Sequence, residues 1–188
     1  MKTAIIVHGT GGYPEENWFP WLKEHLRKYG YRTIIPQFPT PKHQTPGNWF
    51  KIFNKHFNEL NRNTILIGHS LGGTFLLRIL EKIPKKIAAA VLVATPIGVR
   101  PTKFYKSDLP FTKEPFKWNK IKNSAVRFLV FHGKDDPYVS IKNGEKIAKE
   151  LDTNLISLNN AGHFNAKSGC IKFPLLLKVL FPKKLRRH

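Results

Sequence analysis

The stretch Thr64-Ile-Leu-Ile-Gly68-His69-Ser70-Leu71-Gly72-Gly73 constrains the fold of this chain more than any other. A short apolar run of strand character enters Gly-x-Ser-x-Gly. An amphipathic stripe of Phe75, Leu76, Ile79, Leu80 and Ile83 leaves it and is stopped by Pro84. A strand that turns straight into a helix needs small residues on both sides of the turn, where the two backbones pass each other. Gly68 and Gly72 meet that need, with His69 inside the turn. Such a turn lifts the central side chain, Ser70, above the sheet edge, and the first amides of the new helix point at whatever reacts there. The expectation is a nucleophilic serine at position 70, set against a plain strand–turn–helix.

Five more apolar runs rich in Ile, Val, Leu and Ala lie at 4–7, 33–35, 88–94, 126–131 and 154–158, each bounded by turn residues. Continuous rather than alternating apolar character suits strands covered on both faces, as in a parallel sheet. Between them stand helical stripes: Trp18, Trp21, Leu22 and His25/Leu26 closed by Gly30, then Phe50, Phe53 and Phe57 with Leu60. Alternating strand and helix predicts a three-layer α/β sandwich with a doubly wound, mostly parallel sheet, forming one domain over residues 1–188. Residues 95–123 break the rhythm with four prolines and seven basic residues. They read as a long excursion over or beside the C-terminal edge of the sheet. Residues 36–47 hold four more prolines and read as a loop.

A serine hydroxyl is a weak nucleophile and needs a base that is itself held by a third group. On a sheet of this kind the partners follow in the order Ser, acid, His. The run at 126–131 leads into His132-Gly133-Lys134-Asp135-Asp136-Pro137-Tyr138-Val139, which offers two acids. The Gly-x-x-Asp-x-x-Val spacing favours Asp136. Asp135 is the second choice, with a turn-forming carboxylate as its plainer reading. The last apolar run ends in Asn159-Asn160-Ala161-Gly162-His163-Phe164, and of the eight histidines only His163 has the right order and loop. His69 and His132 read as structural. An oxyanion site needs two backbone amides, expected from Leu71 after the serine and from Thr10 in His8-Gly9-Thr10-Gly11-Gly12, with Gly11 second. That glycine cluster fits neither a phosphate loop nor a dinucleotide fingerprint, and no metal-ligand spacing occurs.

Composition sets the surroundings of this chemistry. The 188 residues are 41% hydrophobic and 23% charged, enough for a packed core, and the lone Cys170 excludes an internal disulfide. No apolar run approaches the ~18 residues that cross a bilayer, and the first eight residues are too short for a signal-peptide core. The expected setting is a reduced cytoplasm. Lys+Arg 32 against Asp+Glu 12 gives +20, which raises nucleic acid or an anionic membrane as partners. The excess is spread along the chain, with knots at 97–122 and at Lys183, Lys184, Arg186 and Arg187. A solvated surface is therefore preferred to either partner.

Taken together, His8-Gly9, Gly-His-Ser70-Leu-Gly-Gly, Gly-x-x-Asp136-x-x-Val and Gly162-His163 resemble the α/β-hydrolase superfamily. The finer likeness is to the small serine hydrolases similar to retinoblastoma-binding protein 9, which have little or no cap. Asn17-Trp18-Phe-Pro-Trp21, Gly47-Asn-Trp49-Phe50 and Phe116-Lys-Trp118 extend the likeness over nearly the whole chain. The resemblance implies Ser70 as nucleophile, Asp136 as acid and His163 as base. The Leu-x-Cys-x-Glu motif of a human relative is absent here, so its protein partner is not carried over. The expected activity is cofactor-free hydrolysis of an ester, thioester or amide of a small acyl substrate. The alternative is a binding protein on a hydrolase scaffold whose basic surface meets an anionic partner. Gly11, Trp18, Phe19 and Trp118 are candidates for the substrate pocket, the three aromatics reading equally well as core.

Overall fold

The computed structural model describes residues 1–182. Lys183, Lys184, Arg186, Arg187 and His188 lie outside the described residues. Six strands, β1 (Thr3–Val7), β2 (Arg32–Ile34), β3 (Thr64–His69), β4 (Ile87–Val93), β5 (Ala125–Gly133) and β6 (Leu155–Leu158), form one sheet. Every pairing is parallel, in the order β2-β1-β3-β4-β5-β6. β1 and β3 are buried at every position, which is why their runs are apolar throughout instead of alternating.

Strand residues point alternately to two cores. Ile5, Val7, Leu66 and Leu92 face α2 (Pro46–Phe53), α3 (Leu71–Leu80), α4 (Tyr105–Thr112), α5 (Trp118–Lys122) and α6 (Lys142–Glu150). Ala4, Ile6, Ile67 and Val91 face α1 (Phe19–Lys28) and α7 (Pro174–Leu180). The result is the three-layer, doubly wound sandwich expected from the strand–helix alternation.

Local chemistry sets the helix ends. Pro20 opens α1. Gly30, at φ +79, closes it, its amide on Arg27 and the next amide, of Tyr31, on Leu26. The Phe50/Phe53/Phe57/Leu60 stripe is not one helix. α2 stops at Phe53 and a 3₁₀ turn, Asn54–Glu59, carries Phe57 onto the same core. Residues 95–123 divide as well. The segment before α4 stays at the C-terminal edge, whereas α4 descends beside α3. Phe111 packs on Trp49 and Phe75, and its carbonyl accepts Arg78 Nε–H at 3.0 Å. α5 then delivers the chain to the start of β5, so this segment builds no separate cap domain among the described residues.

The connection from β1 runs outward to β2, and the next strand, β3, pairs on the other side of β1. The strand order reverses there, opening a crevice at the C-terminal ends of β1 and β3. No described helix is long and apolar enough to cross a membrane.

Candidate active site

Ser70 sits in that crevice, between β3 and α3, with φ 53 and ψ −128. A non-glycine residue rarely holds such a conformation, and the surrounding bonds force it. The Ser70 amide donates to Val93 O at 2.8 Å, and its carbonyl accepts from Gly73 N at 2.9 Å. Glycine is required around it by contact. A Cβ at Gly68 would lie 2.6 Å from the Gly73 backbone, and one at Gly9 would lie 2.8 Å from Ser70 Cβ. A Cβ at Gly72 would collide with the carbonyl oxygens of Val7 and His8. Leu71, fully buried, is the first residue of α3.

His163 Nδ1–H donates to Asp136 Oδ2 at 2.8 Å, which leaves Nε2 for the cleft. The other Asp136 oxygen accepts the amides of Tyr138 (2.8 Å) and Val139 (3.0 Å), so its carboxylate is fixed on both sides and buried. His132 Nε2 also approaches Asp136, at 3.7 Å, but its hydrogen bond goes to Val139 O at 2.9 Å. Burial lowers the His132 pKa and keeps the ring neutral. The loop carrying His163 is tied from four directions. Asp135 Oδ1 accepts the Ala161 and Gly162 amides (3.1 and 3.2 Å), and Ser168 Oγ accepts the His163 amide at 3.2 Å. His69 Nε2–H donates to the His163 carbonyl at 2.8 Å, and Trp18 Nε1–H donates to the Phe164 carbonyl at 2.9 Å. Full burial pushes the His69 pKa down to about 3, so this brace stays neutral.

Gly9, Thr10, Gly11, His69, Ser70 and His163 line one cleft of about 400 Å³. His8 anchors the β1 end of its wall. The His8 Nε2 accepts the Phe38 amide at 2.9 Å and its Nδ1–H donates to Gly9 O at 2.9 Å. Three predicted pocket residues are not there. Trp18 and Phe19 are fully buried in the core under α1, packed edge-on at 4.8 Å. Their spacing into the α1 stripe turns them inward. Trp118 stands on Phe116 near the C-terminal end of α3, at the opposite end of the helix from Ser70. The cleft walls are completed by residues that the sequence reading missed, chiefly Glu16, Lys103, Phe104, Tyr138 and Lys167. Tyr138 carried a signal, standing two positions after Asp136 with its ring 5.1 Å from His163, and Lys103 and Phe104 lie in the segment expected at the C-terminal edge. Burial raises the Glu16 pKa to about 7. Among the described residues, no three His, Cys, Asp or Glu side chains cluster as metal ligands.

A doubly wound parallel sandwich with a strained serine at its switch-point crevice defines an α/β hydrolase. Within that class the chain belongs to the serine hydrolase family, which it matches over residues 4–182. It is 30% identical to YdeN of Bacillus subtilis (strain 168), covering 98% of this chain and 99% of that protein. It is 27% identical to the serine hydrolase RBBP9 of Rattus norvegicus, covering 86% of each. The crystal structure of the B. subtilis ydeN gene product superposes with a TM-score of 0.90 at 29% identity, over 97% of this chain and 98% of that one. The meta-cleavage product hydrolase of Pseudomonas fluorescens shares the fold at 16% identity, with a TM-score of 0.72 over 98% and 92%.

Proposed function

We propose that this serine hydrolase cleaves a small ester, thioester or amide, with carboxylester chemistry foremost, through an acyl-enzyme on Ser70. The observation that carries the proposal is the 2.8 Å Asp136–His163 hydrogen bond, with His163 and Ser70 lining one cleft. His163 Nε2 takes the Ser70 proton as Oγ attacks the acyl carbon. Asp136 holds the imidazole in the Nδ1–H tautomer and stabilises the imidazolium that forms. The negative oxygen of the tetrahedral intermediate is received by the Thr10 and Leu71 amides. The first amides of a helix have no acceptor within it, so Leu71 N–H is directed outward. His163 then protonates the leaving group, and water releases the acyl chain by the same steps. A cleft of about 400 Å³ suits a small acyl group. No cofactor is needed for these steps. Burial raises the Cys170 thiol pKa to about 11; a cytoplasmic setting is part of the proposal.

Hydrolysis of p-nitrophenyl esters of two to twelve acyl carbons tests this reading. Turnover that favours the short chains and falls about a thousandfold or more in Ser70→Ala is expected. A Ser70→Ala variant as active as wild type would overturn it.

A further inference from the structure

Thr10, proposed above to supply one oxyanion amide, is held by a closed ring of hydrogen bonds. Its Oγ1–H donates to Asp108 Oδ1 on α4 at 3.3 Å. The carbonyl of the preceding residue, Ser107, accepts Gln44 Nε2–H at 3.3 Å. The Gln44 side-chain oxygen accepts the Thr40 hydroxyl at 2.5 Å, and that hydroxyl oxygen accepts the Gly11 amide at 2.7 Å. Gly11 is bonded to Thr10, so the ring closes, with every donor meeting an acceptor. It joins three separate segments: the loop after β1, the proline-rich loop before α2, and the first turn of α4.

Two features set this ring apart from ordinary packing. Asp108 and Gln44 are only 5% and 7% exposed, and an acid on a packed helix face costs stability unless it serves something. An exposed acid would answer the α4 dipole equally well. The tip of the Thr10 loop, moreover, is not braced by packing. Gly11 is at φ +71, and a Cβ there would meet nothing within 4 Å. Hydrogen bonds are what hold that tip.

We propose that Asp108 is a positioning residue for the oxyanion site, fixing through Thr10 and the ring the direction of the Thr10 amide. The proposal rests on the reading of Thr10 given above. The groups facing the Asp108 carboxyl are the Thr10 and Ser107 hydroxyls and the His163 imidazole. All three favour its charged form, against the burial that raises its pKa to about 6. Above that pH the carboxylate accepts from Thr10. Misdirecting one amide leaves substrate binding intact and weakens only the transition state, so the effect falls on kcat.

The test is a double-mutant cycle on a p-nitrophenyl ester at pH 8, with fluorophosphonate labelling of the wild type alongside. Thr10→Val and Asp108→Ala should each lower kcat about tenfold with KM within about twofold. The double variant should lose no more than the worse single one, and Thr10→Ser, which keeps the hydroxyl, should recover most of the kcat that Thr10→Val loses. Multiplying losses, a loss confined to KM, or Thr10→Ser as impaired as Thr10→Val would overturn the proposal. Thr10→Val against Thr10→Ser keeps the test standing if Asp108→Ala does not fold. A wild type that labels while the losses multiply overturns the ring alone, and a folded wild type that does not label overturns both readings.

Discussion

Two carboxylates adjacent in sequence, Asp135 and Asp136, are given different work by a change of direction at one peptide. Asp136 points inward to His163. Asp135 reaches across to the Ala161 and Gly162 amides and so pins the loop from which His163 projects. Asp136→Asn is expected to lower kcat by about 10³–10⁴, because the amide favours the wrong imidazole tautomer. Asp135→Ala should lower it only about tenfold, by loosening the loop. Steady-state kinetics at pH 8 on both variants checks the division, and equal losses would contradict it. The spacing after β5 made both acids legible as candidates, and the histidine loop was legible from its order in the chain. The pocket aromatics were not. Trp18 sits beside a motif whether it faces cleft or core, and only the packing of α1 turns it inward. There its indole N–H holds the Phe164 carbonyl. Glu16 and Lys103 stand on irregular loops, where no periodicity tells which way a side chain points.

The elements were legible to the extent that burial imposes a pattern on them. The central strands β1, β3 and β4, buried at nearly every position, must be apolar throughout, whereas β2 and β6 at the sheet edges are only partly covered; all six runs stood out with ends displaced by a residue or two. The α2 stripe misled because a 3₁₀ turn continues a helical face with nearly the same spacing. Residues 95–123 hid α4, whose Pro110 and modest apolar content break the helical signal; tertiary packing of Phe111 supplies what the local sequence lacks. One close element contact is where α3 crosses the end of β1 at Gly72. Gly72→Ala drives a methyl group into the Val7 and His8 carbonyls, so it should destabilise the fold by about 1–3 kcal/mol or more, overpacking being the cause. Denaturant unfolding measures this, and a midpoint unchanged from wild type would contradict it. Trp18→Phe removes one buried hydrogen bond while keeping most of the apolar volume. It should cost about 1–2 kcal/mol in the same assay.

Opposing titrations govern the molecule as a whole. His8, His69 and His132 are buried with lowered pKa values, whereas in the unfolded chain they titrate near 6.5. Their contribution to stability is complete above that pH and is lost as pH falls below it, because unfolding then takes up protons. Glu16 has the opposite sign. Its pKa is raised from 4.5 to about 7, so its contribution is present below 4.5 and is lost as pH rises through 7. Melting temperatures should therefore fall steeply below pH 6.5. The difference between Glu16→Gln and wild type should grow in favour of the variant from pH 4.5 to pH 8; a constant difference would contradict the assignment.

The charge of +20 acts on the same balance. Among the described residues, the Lys and Arg ion pairs are Lys28–Glu24, Arg32–Glu59, Arg78–Glu81 and Lys122–Asp152. Most basic side chains thus repel one another without a carboxylate between them, and raising salt from 20 to 300 mM should raise the melting temperature. A melting temperature that falls with salt would contradict this.

The central claim is that this fold holds Ser70 as an activated nucleophile through His163 and Asp136. Intact-mass measurement after fluorophosphonate treatment tests it most directly, on wild type, Ser70→Ala and His163→Ala. The account predicts one rapid adduct per wild-type chain, none on Ser70→Ala, and labelling slowed about a thousandfold or more on His163→Ala. A folded wild type that takes no label, or a Ser70→Ala variant that labels as fast as wild type, would contradict it.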